Sequence, residues 1–153
     1  MSKEKKLDGK KILVGITGGI AVYKIATLVN NFIKLGAQVK IIMTEAATKF
    51  VTPLTFQTLL NDDVYIDMWA AKDTKKVEHI SLAKWADVFV LAPATANTIG
   101  KIANGISDNL LTTVVMALPQ KTKVVVAPAM NIEMWSNPIV KNNIKRLKEL
   151  DKK

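Results

Sequence analysis

The sequence of 153 residues has no cysteine, one histidine (His79), one arginine (Arg146) and only 6% aromatic residues. Without cysteine there is no disulfide framework, no thiolate zinc site and no cysteine nucleophile. A lone arginine gives no set of bidentate forks for reading bases or phosphates, although 22 basic against 13 acidic residues leave a net charge of +9. That charge has two readings, nucleic-acid binding or a solvated basic surface that attracts small anions. The lysines form no stripe and crowd at the two ends, with Lys3, Lys5, Lys6, Lys10 and Lys11 at one and Lys141, Lys145, Lys148, Lys152 and Lys153 at the other. The second reading is favoured, with no nucleic-acid partner. No apolar run reaches the length of a bilayer-spanning helix, and the opening "MSKEKKLDGKK" is too charged for a signal peptide. The expectation is a cytoplasmic chain with no membrane partner and no metal.

What is present is an ordinary globular composition, 49% hydrophobic and 23% charged. A solvated tail is expected over residues 1–10 and a single domain over 11–153. Apolar runs closed by glycine, proline or threonine predict strands at 11–17, 38–43, 87–93 and 123–128, with a weaker one at "DVYID". Between them lie helical patterns: 20–36 ending in Gly36 as a C-cap, "TEAATKFV" opened by Thr44, "TPLTFQTLL", "EHISLAKWA", "ANTIGKIANG", "SDNLLTTVVMAL" capped by Ser107 or Asp108, and the final "NPIVKNNIKRLKEL". Strands that alternate with helices and are apolar throughout predict an α/β fold, a three-layer, doubly wound, Rossmann-like parallel sheet. Ligands in such folds bind beyond the carboxyl ends of the strands.

Four segments fall there. "GITGGIAVYK" puts Gly15, Gly18 and Gly19 between a strand and a helix, either as a tight turn or as an anion cradle. It is neither a dinucleotide fingerprint nor a P-loop. Glu45, after the second strand, reads as a first-turn carboxylate favoured by the helix dipole rather than as a ribose ligand. "PATANT" offers Thr95, Asn97 and Thr98 for capping or for holding a planar ligand's edge. "PAMNIEMW" holds Asn131, Met134 and Trp135: a helix cap with core packing, or an amide and an apolar wall for a carboxylate ligand. His79 stands near a predicted helix start, where an imidazole is kept neutral and suited to act as a base; a structural role is the alternative. Trp69 and Trp85 are assigned to core or interface packing.

Together, "GITGGIAVYK", "MTEAATKFVTPLTFQTL", "HISLAKWAD", "LAPATANTIGKIANGISDNLLTT" and "PAMNIEMWSNP" resemble the flavin-dependent cysteine decarboxylases, most closely the phosphopantothenoylcysteine decarboxylase branch of coenzyme A biosynthesis. The resemblance runs from about Lys10 to Leu150. It implies non-covalent FMN, with the phosphate at Gly18, Gly19, Ile20 and Thr44, the ribityl chain and ring edge at Thr95, Ala96, Asn97 and Thr98, and Ala129 and Met130 near the ring. It further implies His79 as catalytic base, Asn131 as a catalytic group on the substrate carboxylate, and Met134 in the substrate pocket. A cysteine carboxylate lost from an sp³ carbon needs an electron sink, which the flavin supplies by oxidising the side chain. The implied partners are a small anionic substrate, further copies of the chain in a trimer or multiple of trimers, with the helix from Ser107 near the interface, and a phosphopantothenoylcysteine synthetase, fused or separate. The coenzyme A branch also carries a proton-donating cysteine in a substrate-covering segment. Its absence here implies either that such a segment lies beyond this sequence, which the first two motifs favour, or that the enethiol is released, as in the peptidyl-cysteine decarboxylases. A non-catalytic regulatory flavoprotein is the alternative from another class; the acidic tail typical of those is missing.

Overall fold

The computed structural model describes residues 5–70 and 77–150. Residues 1–4 of the expected tail and 151–153 of the expected domain lie outside them. The elements in chain order are β1 (Lys11–Ile16), a 3₁₀ turn (Ile20–Lys24), α1 (Ile25–Lys34), β2 (Gln38–Met43), α2 (Glu45–Thr48), α3 (Pro53–Leu60), β3 (Val64–Tyr65) and α4 (Glu78–Trp85). There follow β4 (Val88–Ala94), α5 (Ala96–Ala103), α6 (Leu110–Met116), β5 (Lys123–Pro128), α7 (Ile132–Ser136) and α8 (Pro138–Leu150). The strands form one sheet in the order β3-β2-β1-β4-β5, every pair parallel. The chain therefore winds one way from β1 to β3 and the other way from β1 to β5. The switch lies between β1 and β4, where a doubly wound sheet opens its ligand crevice.

Successive side chains of a strand point to opposite faces, and β1 uses both. Ile12, Val14 and Ile16 join Val22, Ile25, Val29, Ile41, Met43 and Phe56 in one core. Leu13 joins Ile42, Phe89, Leu91, Leu110, Leu111 and Val114 in the other. Phe56 and Phe89, both fully buried, anchor one core each. This is why the central strands read as unbroken apolar runs. On the second face α5 and α8 pack together and α4 packs on α6, completing three layers.

Gly36 has φ +94, the left-handed conformation that ends a helix at little cost to glycine alone. It stands one residue beyond α1's C-cap, Leu35. The helix expected from residue 20 begins instead as a 3₁₀ turn and becomes α only at Ile25. Residues 5–10 are largely exposed yet held: Leu7 donates to the Leu35 carbonyl (3.0 Å) and Gly9 to that of Gly36 (3.2 Å), and the Leu7 side chain packs on the first core.

Two expectations are corrected. The cap of α6 is neither Ser107 nor Asp108 but Asn109, whose Oδ1 accepts from the Thr112 amide (2.9 Å) while the Asn109 amide donates to Thr112 Oγ1 (3.3 Å). Asp108 is engaged elsewhere, accepting from Lys101 Nζ at 2.9 Å. Of the two tryptophans assigned to core or interface packing, Trp85 packs against the second core, while Trp69 is 84% exposed, which leaves it the interface alternative. Finally, β5 is not covered on both faces: as the sheet's edge it has no fully buried residue.

Candidate active site at the carboxyl edge of the sheet

The four singled-out segments meet at one edge of the sheet, as parallel strands require. After β2, Thr44 caps α2 by accepting from the Ala47 amide (3.2 Å), and Glu45 stands exposed in the first turn. After β4, Thr95 caps α5 by accepting from the Thr98 amide (3.3 Å). After β5, Asn131 caps α7 by accepting from the Met134 amide (2.9 Å). The turn after β1 differs. Gly19 occupies the cap position and offers no side chain, and the first turn that follows contains no acid. Amides at such a start lack an internal partner and suit an anion.

The glycine turn is drawn against both neighbouring loops. A Cβ on Gly18 would lie 2.5 Å from the Ala46 Cβ and 2.9 Å from its backbone carbon. Only glycine lets α2 approach that closely. A Cβ on Gly19 would stand 3.7 Å from Thr95 Cγ2. Ile20 is 77% exposed at the edge. Ala96 is half-buried, Asn97 exposed and Thr98 buried beneath Thr95.

Thr17 is not among the expected site residues but is central here. It is buried, its hydroxyl donates to the Pro93 carbonyl, and the same oxygen accepts from the Thr95 amide (3.0 Å). A threonine closing an apolar strand just before two glycines is the signal that could have found it.

His79 lies in the first turn of α4, half-buried, beside Glu78. Tyr65 ends β3 at the same edge. Burial foremost, then the charges of Asp62, Glu78 and Asp63, raise its phenol above the ordinary value, so it stays protonated at neutral pH. Ala129 donates to the Ala94 carbonyl (3.1 Å), and Met130 packs on the second core. Met134 and Trp135 are 43% and 45% exposed, so they do not fill the core. With its oxygen committed to the cap, the Asn131 amide group is oriented and its Nδ2 donates to no described residue. The capping and ligand readings of Asn131 are therefore compatible.

Two cavities flank this edge. One of about 330 Å³ opens between the ends of β2 and β3 and the start of α6, lined by Thr44, Glu45, Asp67, Trp69, Asp108 and Asn109. A larger apolar groove of about 810 Å³ lies under β5, between α6 and α8, and reaches the edge through Pro128 and Trp135. No group of His, Cys, Asp or Glu among the described residues could hold a metal ion, and no helix among them is long and apolar enough to cross a membrane.

A parallel sheet whose switch point carries an uncapped glycine turn is the architecture of an α/β nucleotide-cofactor protein. The family model described as Flavoprotein matches residues 1–153, and the chain belongs to that family. It is 46% identical over 140 residues to a probable phosphopantothenoylcysteine decarboxylase of Streptococcus mutans, covering 92% of this chain and 78% of that protein. It is 48% identical over 138 residues to the coenzyme A biosynthesis bifunctional protein CoaBC of Bacillus subtilis (strain 168), covering 90% of this chain. The chain spans only 34% of that relative's length. Among solved structures, it matches a cysteine-to-serine mutant of PPC decarboxylase complexed with pantothenoylaminoethenethiol with a TM-score of 0.81 at 36% identity, covering 93% of this chain and 79% of that one. The FMN-dependent cysteine decarboxylase SpaF matches with a TM-score of 0.86 at 32% identity, covering 94% and 81%.

Proposed function

We propose that this chain binds FMN and decarboxylates a cysteine carboxylate, converting 4'-phospho-N-pantothenoylcysteine to 4'-phosphopantetheine. The observation that carries the reading is the uncapped helix start at Gly19, set between self-capped starts at Thr44 and Thr95. Those residues fit an anionic flavin: Gly18, Gly19, Ile20 and Thr44 would hold its phosphate, Thr95, Ala96, Asn97 and Thr98 its ribityl chain and ring edge, and Ala129 and Met130 would border the ring. When bound, FMN supplies the reversible electron sink that an sp³ carboxylate lacks. The chain's own residues do the rest. His79 takes a proton from the substrate as general base. Asn131 donates through Nδ2 to the carboxylate, holding it without a full charge that would oppose its departure. Met134 supplies apolar wall.

Assembly as a trimer or multiple of trimers, with the flavin at a subunit interface, is part of the proposal, as are a cytoplasmic location and a fused or separate synthetase partner. The exposure of Ile20, Ile132, Trp135 and Ile139, at 77%, 69%, 45% and 70%, supports an interface at this edge. The test is direct. The purified protein is expected to be yellow and to release FMN on denaturation. With phosphopantothenoylcysteine it is expected to yield carbon dioxide and 4'-phosphopantetheine. Colourless protein that does not take up FMN would overturn the cofactor assignment. Flavin-loaded protein inert on that substrate would overturn the substrate, and accumulation of an enethiol would point to the peptidyl-cysteine type of chemistry.

A further inference from the structure

Thr17 is the residue immediately after β1, only 1% exposed, at the point where the sheet's winding reverses. Three hydrogen bonds join it to the end of β4 and the residue that follows it, 76 and 78 residues away in sequence. Its amide donates to the Pro93 carbonyl at 3.3 Å, its hydroxyl donates to the same carbonyl, and its Oγ1 accepts from the Thr95 amide at 3.0 Å. A hydroxyl is the smallest group that can donate and accept at one atom. Valine has the same shape and can do neither. Thr95 in turn directs its own hydroxyl to the start of α5. On the other side Gly18 lies against Ala46, at the start of α2. Residues 17 and 18 thus join the loops that follow β1, β2 and β4, yet Thr17 is sealed away from any ligand.

We propose that Thr17 is a positioning residue for the flavin. Its buried hydroxyl sets the spacing between the glycine turn and the Thr95–Thr98 turn, and FMN affinity depends on that spacing although Thr17 does not touch the cofactor. The inference rests on the FMN reading above. A purely structural threonine would affect folding stability alone; a positioning threonine affects affinity for the cofactor in protein that is folded.

The experiment measures the FMN dissociation constant of the full chain by flavin fluorescence quenching, alongside apo-protein melting and the visible circular dichroism of the bound flavin. Thr17→Val leaves the Thr95 amide without its acceptor. It is expected to weaken FMN binding by about tenfold or more and to alter the flavin dichroism. Thr17→Ser, which keeps the hydroxyl, is expected to stay within about threefold of the parent. Wild-type affinity in Thr17→Val, whatever its melting temperature, would overturn the proposal. So would a tenfold loss in Thr17→Ser, a result that stands even where the valine variant does not fold. A parent protein that takes up no FMN at all would overturn the cofactor reading, and this inference with it; a parent that binds FMN as tightly as Thr17→Val overturns this inference alone.

Discussion

Strands β1 and β5 have similar sequences, KILVGI and KVVVAP, and opposite surroundings. β1 has a partner on each side, and five of its six residues are buried. Among the described residues β5 pairs only with β4, with a register irregularity between Leu91 and Ala94, and its Val125 is 51% exposed. The segments that follow them differ in the same way. The turn after β1 is tied by buried bonds to the β4 loop and pressed against α2. The turn after β5 carries exposed apolar side chains and the exposed Asn131. Strand hydrophobicity thus reports the material of the sheet but not the place within it. The residues proposed for the flavin phosphate stand in the packed half, while Asn131 and Met134, proposed for the substrate, stand on an open edge.

The largest expected effect tests whether catalysis crosses between these halves. His79 sits on the packed side, in a helix that rests on α6. His79→Asn is expected to retain FMN and lose about 10²–10⁴-fold in decarboxylation, read as carbon dioxide release from flavin-loaded protein. Turnover within a few-fold of the parent would give His79 a structural role.

Stability offers the second contrast. Phe89→Ala opens the second core and is expected to cost about 3–5 kcal/mol. For a domain of this size that lowers Tm by roughly 6–20 °C. Val125→Ala, on the exposed edge, is expected to stay within about 0.5 kcal/mol. Equal losses in thermal melts would mean that the β5 edge is buried in the working assembly.

Asn131 allows its two roles to be separated. Asn131→Asp keeps the capping oxygen and removes the donor, so folding and FMN binding should hold while turnover falls roughly 10- to 150-fold. Asn131→Ala removes the cap as well, a further loss of about 0.5–2 kcal/mol in stability. Normal turnover by the aspartate variant would leave Asn131 as a cap only.

The smallest effect belongs to the exposed pair Lys101–Asp108. The hydrogen bond from Lys101 holds the Asp108 carboxyl below its ordinary value. A lowered carboxyl adds stability above its unfolded pKa, about 3.9, and that gain is lost as pH falls through the lower folded value. Asp108→Asn should therefore melt slightly below the parent at pH 7, and the difference should vanish in acid. A gap that widens on acidification would refute this assignment.

Much of this is legible in the sequence. The bounds of β2 and β5 can be read from residues that stop strands, Gly36 and Thr44 around the one and Pro128 at the end of the other. Thr44 and Asn131 were readable as caps from residue type and place. What was not legible depends on distant partners. Three consecutive residues, Ser107, Asp108 and Asn109, can all cap a helix; the choice fell to Asn109 because Thr112 completes its box while Asp108 is drawn to Lys101. Met134 and Trp135 look like core residues in one dimension; strand order, which no local pattern encodes, leaves them on the rim. Thr17 stayed hidden because its partners come from the β4 loop.

The anchoring of residues 5–10 has a practical consequence. Gln38 donates to the Lys10 carbonyl (2.8 Å) and Lys11 to the Asp87 carboxylate (3.0 Å), so the entering chain is stitched to the amino ends of β1, β2 and β4. Six residues of strand separate that end from the carboxyl edge, about 20 Å at the rise of a β-strand. A tether joined ahead of Lys5 would hold the molecule by the face opposite Gly19, His79 and Asn131. Protein fixed to a sensor surface or bead in that way presents the carboxyl edge to the solution.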